Sequence, residues 1–300
     1  RYFWEANINT YFNMYLTPEQ VQFYHDQGYL VIENFWNEET VNQLIGTILR
    51  HVRSADLSRV TSIFSTTENM RKADNDEYFL TSGGEIRYFW EDKAWSEGKL
   101  QVAPELAINK VGHALHDLDP DFEKVSYDGR IGSICEELGM GKALIVQSMY
   151  IFKQPKIGGE VVPHQDGTFL YTEPQSCIGF WWPLHDCTQQ NGCLWAVPGS
   201  HKLGVHRHYR RRDPPATGLE FIPPEPVVWD LTGAVPLEIK KGDLVILHSA
   251  LVHYSQENSS EFPRHAYSIH IVDGSDGIVY PQDNWLQRPG FPFREVTKRV

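Results

Sequence analysis

The second half of the chain consists of short apolar segments separated by turn residues, and this pattern is what most limits the folds open to it. From Leu144 onward, runs rich in Val, Ile, Phe and Trp alternate with Gly-Gly, Asn-Gly and Gly-Asp dipeptides. Such runs, bounded by such dipeptides, predict strands joined by tight turns. The predicted strands are 145–152, 178–184, 193–197, 244–247 and 266–272. Many short strands in succession favour a β-sandwich or a β-barrel.

The first half of the chain carries helix signals instead. Thr17-Pro18-Glu19-Gln20 combines an N-cap, a proline in the first turn and a capping-box Gln, which predicts a helix that ends near Gly28. A short strand is expected at 29–32. Apolar residues at helical spacing predict a second helix from about Glu38 and a third over 104–118. The charged segment 54–77 is predicted to be a loop.

The sequence shows no internal repeat and no linker between the two halves. We therefore expect an aromatic-rich N-terminal arm over 1–16 and a single domain over 17–300, in which the helices cover the barrel. Hydrophobic residues make up 41% of the chain and charged residues 22%, a balance that excludes general disorder. No apolar run approaches the length of a membrane span. The net charge of −12 argues against a nucleic-acid-binding protein.

The four cysteines are too few to form a disulfide scaffold in a chain of 300 residues. Cys187 and Cys193 can pair across a hairpin, but their spacing is not that of a zinc finger. We expect free thiols and a reducing compartment.

A candidate metal site begins at His164-Gln165-Asp166, which follows Pro163. Residues i and i+2 of a strand point to the same face, so both side chains can reach one ion. A third ligand can come from a neighbouring strand, for which His253 is well placed and His248 is the rival. Two imidazoles and one carboxylate on one face form the ligand set of non-haem Fe(II) oxygenases. The alternative is a solvated strand end without a metal.

A candidate anion site lies close to the predicted metal site. Arg264 follows His253 by 11 residues and begins the run Arg264-His265-Ala266-Tyr267, which leads into the last predicted strand. A guanidinium beside a metal can bind a carboxylate through two parallel hydrogen bonds. The alternative is a surface arginine.

Among the other histidines, His201 is expected to fix a loop by hydrogen bonding, and His113 and His116, on the predicted third helix, lack the spacing of a zinc pair.

Four segments together resemble the phytanoyl-CoA dioxygenase family. They are Ile145 to Pro155, His164-Gln-Asp, Asn191 to His201, and the pair His253 and Arg264. The resemblance extends in order from Thr17 to about Pro292. It implies a fold that is mainly β with flanking helices, a double-stranded β-helix (jelly-roll, cupin-like) barrel.

The same resemblance implies an Fe(II)- and 2-oxoglutarate-dependent dioxygenase that hydroxylates a C–H bond and releases succinate and CO2. Iron would be held by His164, Asp166 and His253, and ascorbate is an optional reductant. 2-Oxoglutarate would bind through its far carboxylate to Arg264. The residues implied to line its pocket are Lys110, Met149, Trp181 and Ser255. Related oxygenases that halogenate have a small residue in place of the carboxylate, so Asp166 favours hydroxylation.

The substrate is expected to be a small molecule, and the family name suggests a fatty acyl-CoA. The basic run 206–212, expected in a loop, can bind CoA phosphates or can simply be solvated.

The chain ends Thr297-Lys-Arg-Val without a Ser-Lys-Leu peroxisomal address, which favours the cytoplasm. Two alternatives stay open: a metal-binding jelly-roll protein without 2-oxoglutarate turnover, and an interaction protein that uses residues 1–16. The sequence does not indicate an oligomeric state.

Overall fold

The computed structural model describes residues 14–64 and 76–298. Most of the predicted N-terminal arm and part of the predicted loop 54–77 therefore lie outside the described residues. The α-helices span Pro18–Gln27 (α1), Glu38–Ser54 (α2), Glu77–Leu80 (α3), Leu115–Leu118 (α4), Pro120–Ser126 (α5) and Gly129–Glu137 (α6). None of the helices in this described part is long and apolar enough to cross a membrane.

The first helix begins and ends where its capping residues predict. The Thr17 side chain accepts a hydrogen bond from the Gln20 amide, and the Gln20 side chain accepts one from the Thr17 amide. Gly28 ends the helix with a φ of 83°, a left-handed conformation that costs glycine little. The predicted second helix is also confirmed, with Asn37 as its N-cap.

Within the described ranges, the strands form two facing sheets and two small hairpins. They span Tyr29–Ile32 (β1), Ile63–Phe64 (β2), Ile86–Glu91 (β3), Trp95–Ser96 (β4), Lys99–Leu100 (β5), Ile108–His113 (β6), Ala143–Ile151 (β7), Val161–His164 (β8), Ile178–Pro183 (β9), Leu194–Ala196 (β10), His208–Arg211 (β11), Leu219–Ile222 (β12), Val235–Leu237 (β13), Leu244–His248 (β14), His253–Ser255 (β15), Ala266–Asp273 (β16) and Arg294–Glu295 (β17).

The larger sheet has the order β1-β14-β9-β16-β7-β6-β3-β2, with β17 paired to β7, and the smaller sheet has the order β13-β10-β15-β8. The predicted jelly-roll, mainly β with flanking helices, is confirmed. The strands predicted from Leu144 onward all form, with ends that differ by one or two residues.

The predicted helix over 104–118 is wrong. In its place stand a 3₁₀ turn at Pro104–Leu106, strand β6 and the short helix α4. Strand β6 pairs with β3 on one side and β7 on the other. The apolar residues Ile108 and Val111 suit a buried strand as well as a helix face, and Gly112 disfavours a helix interior. Hydrogen bonding to two neighbouring strands decides between the two structures. The first half of the chain thus adds β2, β3 and β6 to the larger sheet; β2 lies in the segment expected to be a loop.

Alternation along the strands places neighbouring side chains in different parts of the core. On β9, Phe180 and Trp182 face the helices, in a core that also contains Leu44 and Ile48 of α2. Trp181, between them, packs between the two sheets. All four cysteines are buried and free, as expected, so Cys187 and Cys193 do not pair.

Candidate metal centre and adjoining cavity

The structure brings the three predicted metal ligands together. Strands β8 and β15 pair antiparallel with His164 directly opposite His253, and the two imidazole rings lie 4.2 Å apart. The Nε2 atoms of both rings are 3.7 Å from Asp166 Oδ1. One ligand atom from each residue lies within 4.8 Å of the others. The three side chains can therefore face one ion.

Asp166 reaches this point by a different route from the one predicted. Strand β8 ends at His164, and Asp166 opens a 3₁₀ turn over Asp166–Thr168. The side chains of His164 and Asp166 converge because the chain bends after the strand. The rule that alternate strand residues share a face therefore predicts the correct neighbours, although Asp166 is not in a strand.

Backbone carbonyls fix the orientation of both imidazoles. His164 Nδ1 lies 2.9 Å from the carbonyl oxygen of Val162, and His253 Nδ1 lies 3.1 Å from that of Leu251. Because a carbonyl only accepts hydrogen bonds, each Nδ1 carries the proton and donates it. Each Nε2 is then left with its lone pair toward Asp166, as a metal ligand requires.

The charges of the site also suit a divalent cation. Burial, with a smaller effect of the neighbouring His253, lowers the pKa of His164 to about 4. Burial alone would raise the pKa of the Asp166 carboxyl, but the imidazoles of His270, His253 and His164 outweigh burial and hold it below its usual value. At neutral pH the site therefore offers a neutral His164 and a carboxylate, which are the ligand forms that bind metal.

His270 is a residue of the site that the sequence analysis missed. Its Nε2 lies 3.2 Å from Asp166 Oδ2, and its Nδ1 lies 3.1 Å from the Gln147 side-chain nitrogen. An amide nitrogen only donates, so Nδ1 accepts and Nε2 carries a proton toward the carboxylate. The signal that could have found it is the period of two along β16, which places residues 264, 266, 268 and 270 on one face.

A cavity of about 210 Å³ connects the three ligands to the predicted cosubstrate residues. Lys110, Met149, Trp181, Ser255 and Arg264 all line it. Trp181 rather than its neighbour Trp182 faces the cavity, since Trp182 stacks on Trp36 in the other core region at 4.5 Å.

Arg264 lies in the cavity wall as a buried cation that pairs with no carboxylate among the described residues. Its exposed fraction is 1%, and its carbon Cζ lies 5.3 Å from the centre of the Trp181 ring. Among the described residues, its Nε and Nη1 atoms have no hydrogen-bond partner. Burial lowers the pKa of the guanidinium, yet arginine stays protonated in proteins. A buried and unpaired charge is costly, so the site fits a ligand that brings a carboxylate.

Lys110 is buried rather than solvated, because it lies on strand β6 and not on the predicted helix. Its Nζ lies 3.8 Å from the centre of the Phe64 ring and 3.9 Å from Met149 Sδ. Burial lowers its pKa to about 7. Ser255 contributes a hydroxyl oxygen that, like the two Arg264 nitrogens, is buried without a partner among the described residues.

The other histidines lie elsewhere. His248 is not in the cavity wall; its ring packs against His201 at 4.9 Å. His201 Nε2 lies 3.0 Å from the carbonyl oxygen of His25, which confirms that it fixes a loop by hydrogen bonding. His113 ends strand β6 and His116 lies in α4, so neither is on the helix that was predicted for them.

The basic run 206–212 does not form the expected loop. Residues His208–Arg211 form strand β11 and pair with β12. Arg210 pairs with Glu220 and Asp283 at 3.1 Å, and Arg211 donates hydrogen bonds to backbone carbonyls. Neighbouring residues thus already bind these two cations.

Comparisons with known proteins show which family and which fold this chain resembles. A family model described as Phytanoyl-CoA dioxygenase (PhyH) matches residues 24–266. A phytanoyl-CoA dioxygenase of Arabidopsis thaliana is 48% identical over 278 residues, which cover 92% of this chain and 95% of that protein. The phytanoyl-CoA dioxygenase domain-containing protein 1 homolog of Dictyostelium discoideum is 43% identical over 94% of this chain and 99% of its own.

Solved structures share the fold at lower identity. SnoK, a non-heme alpha-ketoglutarate-dependent carbocyclase from nogalamycin biosynthesis, superposes with a TM-score of 0.60 at 21% identity, covering 94% of this chain and 97% of its own. EctD from S. alaskensis, solved with 2-oxoglutarate and 5-hydroxyectoine, superposes with a TM-score of 0.63 at 19% identity, covering 96% and 88%.

Proposed function

The chain belongs to the phytanoyl-CoA dioxygenase family, and from this premise we propose that it is an Fe(II)- and 2-oxoglutarate-dependent dioxygenase that hydroxylates a C–H bond of a small molecule. Succinate and CO2 are the co-products. We take residues 17–300 as one catalytic domain. The observation that carries the proposal is one cavity whose wall contains both a two-histidine, one-carboxylate cluster and a buried arginine that meets no anion in the described part of the chain.

Each residue has a defined part in this proposal. His164, Asp166 and His253 would hold the iron, which together with 2-oxoglutarate supplies the oxidising chemistry when bound. The Val162 and Leu251 carbonyls hold both imidazoles in the tautomer that binds metal. Asp166, which is a carboxylate rather than a small residue, favours hydroxylation over halogenation.

The cosubstrate would lie between the metal and Arg264. The guanidinium binds its far carboxylate, and the buried Ser255 hydroxyl donates a hydrogen bond. Trp181 and Met149 provide apolar walls that exclude water. A barrel that bound only a metal would leave the Arg264 cation unpaired, so this observation favours the oxygenase over a metal-binding protein without turnover.

A fatty acyl-CoA is one substrate that the family name suggests. Its phosphates would need free cations near the cavity, and the carboxylates around Arg210 already pair with that side chain. Beside the metal cluster, the cavity wall includes Phe169, whose ring is 6.2 Å from that of His164 and 5.6 Å from that of Tyr209. We therefore propose a substrate that places an apolar group near the metal, with or without CoA.

The test is succinate formation from 2-oxoglutarate by the purified protein with Fe(II), ascorbate and O2, with Asp166→Ala as the control. We expect succinate from the wild type and none from the variant. Binding of 2-oxoglutarate without turnover would mean that succinate forms only when the primary substrate is also bound. A wild-type protein that neither forms succinate nor binds 2-oxoglutarate in calorimetry would contradict the proposal.

A further inference from the structure

Lys153 is a buried lysine in the cavity wall to which neither the sequence motifs nor the proposed function gives a role. It follows strand β7, its exposed fraction is 2%, and it lines the same cavity as the metal cluster. Its Nζ donates hydrogen bonds to the carbonyl oxygens of Gly159 at 2.7 Å and Gln256 at 2.5 Å. Among the described residues, no carboxylate lies within ion-pair distance of it.

The two carbonyls belong to the segments that carry the metal ligands. Gly159 lies two residues before strand β8, which ends at His164, and Gln256 directly follows strand β15, which begins at His253. The strands are antiparallel, so these carbonyls lie at the same end of the pair, where Val161 pairs with Ser255. One side chain therefore joins the two ligand strands at the end opposite the histidines.

The backbone of Lys153 extends this link to the anion site. Its carbonyl oxygen accepts hydrogen bonds from the Arg264 amide at 3.2 Å and from the Asn258 side-chain amide at 3.0 Å. Lys153 is thus bonded to both ligand-bearing segments through its side chain and to Arg264 through its main chain.

Two glycines leave the space that the lysine side chain occupies. A Cβ atom at Gly158 would lie 2.7 Å from Lys153 Cγ, and one at Gly192 would lie 2.7 Å from Lys153 Cδ. Burial, with a smaller effect of Arg264, lowers the pKa of Lys153 to about 6. A neutral amine has two N–H donors, which is the number of carbonyls that it meets.

We propose that Lys153 is a positioning residue that sets the spacing between the metal ligands and Arg264; this inference rests on the proposed function. 2-Oxoglutarate must reach the metal with one end and Arg264 with the other, so its binding depends on that spacing. Without the two side-chain hydrogen bonds, the ends of β8 and β15 separate and the two contacts no longer fit one molecule.

The test compares Lys153→Met with Lys156→Met. Methionine keeps a long apolar side chain but has no N–H donors. Lys156 lies on the same loop as Lys153 but bonds outside the cavity, and only to the segment that follows β15. Its Nζ donates to the Ser259 carbonyl at 2.8 Å and pairs with Glu261, and its side chain is 54% exposed. Calorimetry with Mn(II) in place of iron measures metal binding first and 2-oxoglutarate binding to the Mn(II)-loaded protein second, without turnover.

We expect Lys153→Met to bind 2-oxoglutarate on the order of tenfold more weakly, as is usual when a residue that supports ligands is removed. Mn(II) binding should weaken less, and Lys156→Met should match the wild type in both. A folded Lys153→Met variant with wild-type 2-oxoglutarate affinity would overturn the inference and leave the proposed function intact. A wild type that does not bind 2-oxoglutarate would instead contradict the proposed function.

Lys153→Gln, which keeps a donor amide, replaces Lys153→Met if that variant does not fold. It should show a smaller loss of 2-oxoglutarate affinity in the same assay. If neither variant folds, Lys153 serves the stability of the whole barrel rather than the spacing of the site, and the inference is overturned as well.

Discussion

At the scale of single residues, neighbours in the sequence take opposite roles in this protein. Arg264 faces the cavity, whereas the next residue, His265, bonds through Nδ1 to the Tyr150 hydroxyl at 2.9 Å. Trp181 faces the cavity and Trp182 packs in the core. Such pairs follow from strand geometry, since successive side chains point to opposite faces of a sheet. Which member faces the site depends on where the strand lies in the barrel.

Arg264→Met tests the role of the buried cation. Because the guanidinium is expected to make two charge-assisted hydrogen bonds to 2-oxoglutarate, the variant should bind it at least ~100-fold more weakly in calorimetry with Mn(II). The apo variant should melt at no lower temperature than the wild type, since an unpaired buried charge is removed. Arg212→Met, at a side chain that is 44% exposed, is the control. Unchanged 2-oxoglutarate affinity in Arg264→Met would exclude Arg264 from the site.

At the scale of secondary-structure elements, the proposed metal cluster depends on a close approach between strand β9 and the turn at Asp166. Gly179 of β9 pairs with His270 of β16. A Cβ atom at Gly179 would lie 2.8 Å from Asp166 Oδ2. The absence of a side chain at this one strand position lets the carboxylate and His270 meet.

Gly179→Ala should therefore weaken metal binding more than it destabilises the fold. The new methyl group meets the end of a side chain rather than backbone, so the carboxylate can move aside at little cost in stability. We expect Mn(II) affinity to fall on the order of tenfold in calorimetry, with a small change in melting temperature. The matched control is Gly84→Ala, where a Cβ would meet no atom within 4 Å. Equal Mn(II) affinities in the two variants would show that Asp166 does not need this space.

At the scale of the whole molecule, the larger sheet separates the helix-covered core from the cavity. Folding into this arrangement also buries several titratable groups. His265 is one of them, with an exposed fraction of 6%. Burial, helped by the nearby His185 and Arg264, lowers its pKa to about 3. The folded protein therefore keeps this imidazole neutral at pH values where the unfolded chain protonates it.

Stability of the apo protein should consequently fall as the pH is lowered. The unfolded chain binds the His265 proton below about pH 6.5 and the folded protein only near pH 3, so unfolding takes up a proton between these values. In that window His265 lowers the free energy of unfolding by about 1.4 kcal/mol per pH unit. Urea denaturation at pH 7 and pH 5 measures the loss. His265→Gln should lose less stability between the two pH values than the wild type, and an equal loss would contradict the role of this histidine.

Local signals in the sequence determined much of this protein. The cap residues Thr17 and Gly28 determine the ends of α1, because capping involves only residues a few positions apart. The short apolar runs after Leu144 determine the strands for the same reason. The resemblance to the dioxygenase family also named the expected ligands and the five expected cosubstrate residues, and all eight line one cavity.

Only the tertiary structure decided the features that depend on partners far away in the chain. Ile108–His113 is a strand because β3 and β7 lie on either side of it, and this places Lys110 inside the barrel. His270, on the larger sheet, reaches Asp166, which follows β8 of the smaller sheet, and Lys153 reaches carbonyls 6 and 103 residues away. A local sequence pattern indicates which backbone conformation a segment prefers by itself. It does not indicate which distant strands offer hydrogen-bond partners to that segment, and here those partners decided its conformation.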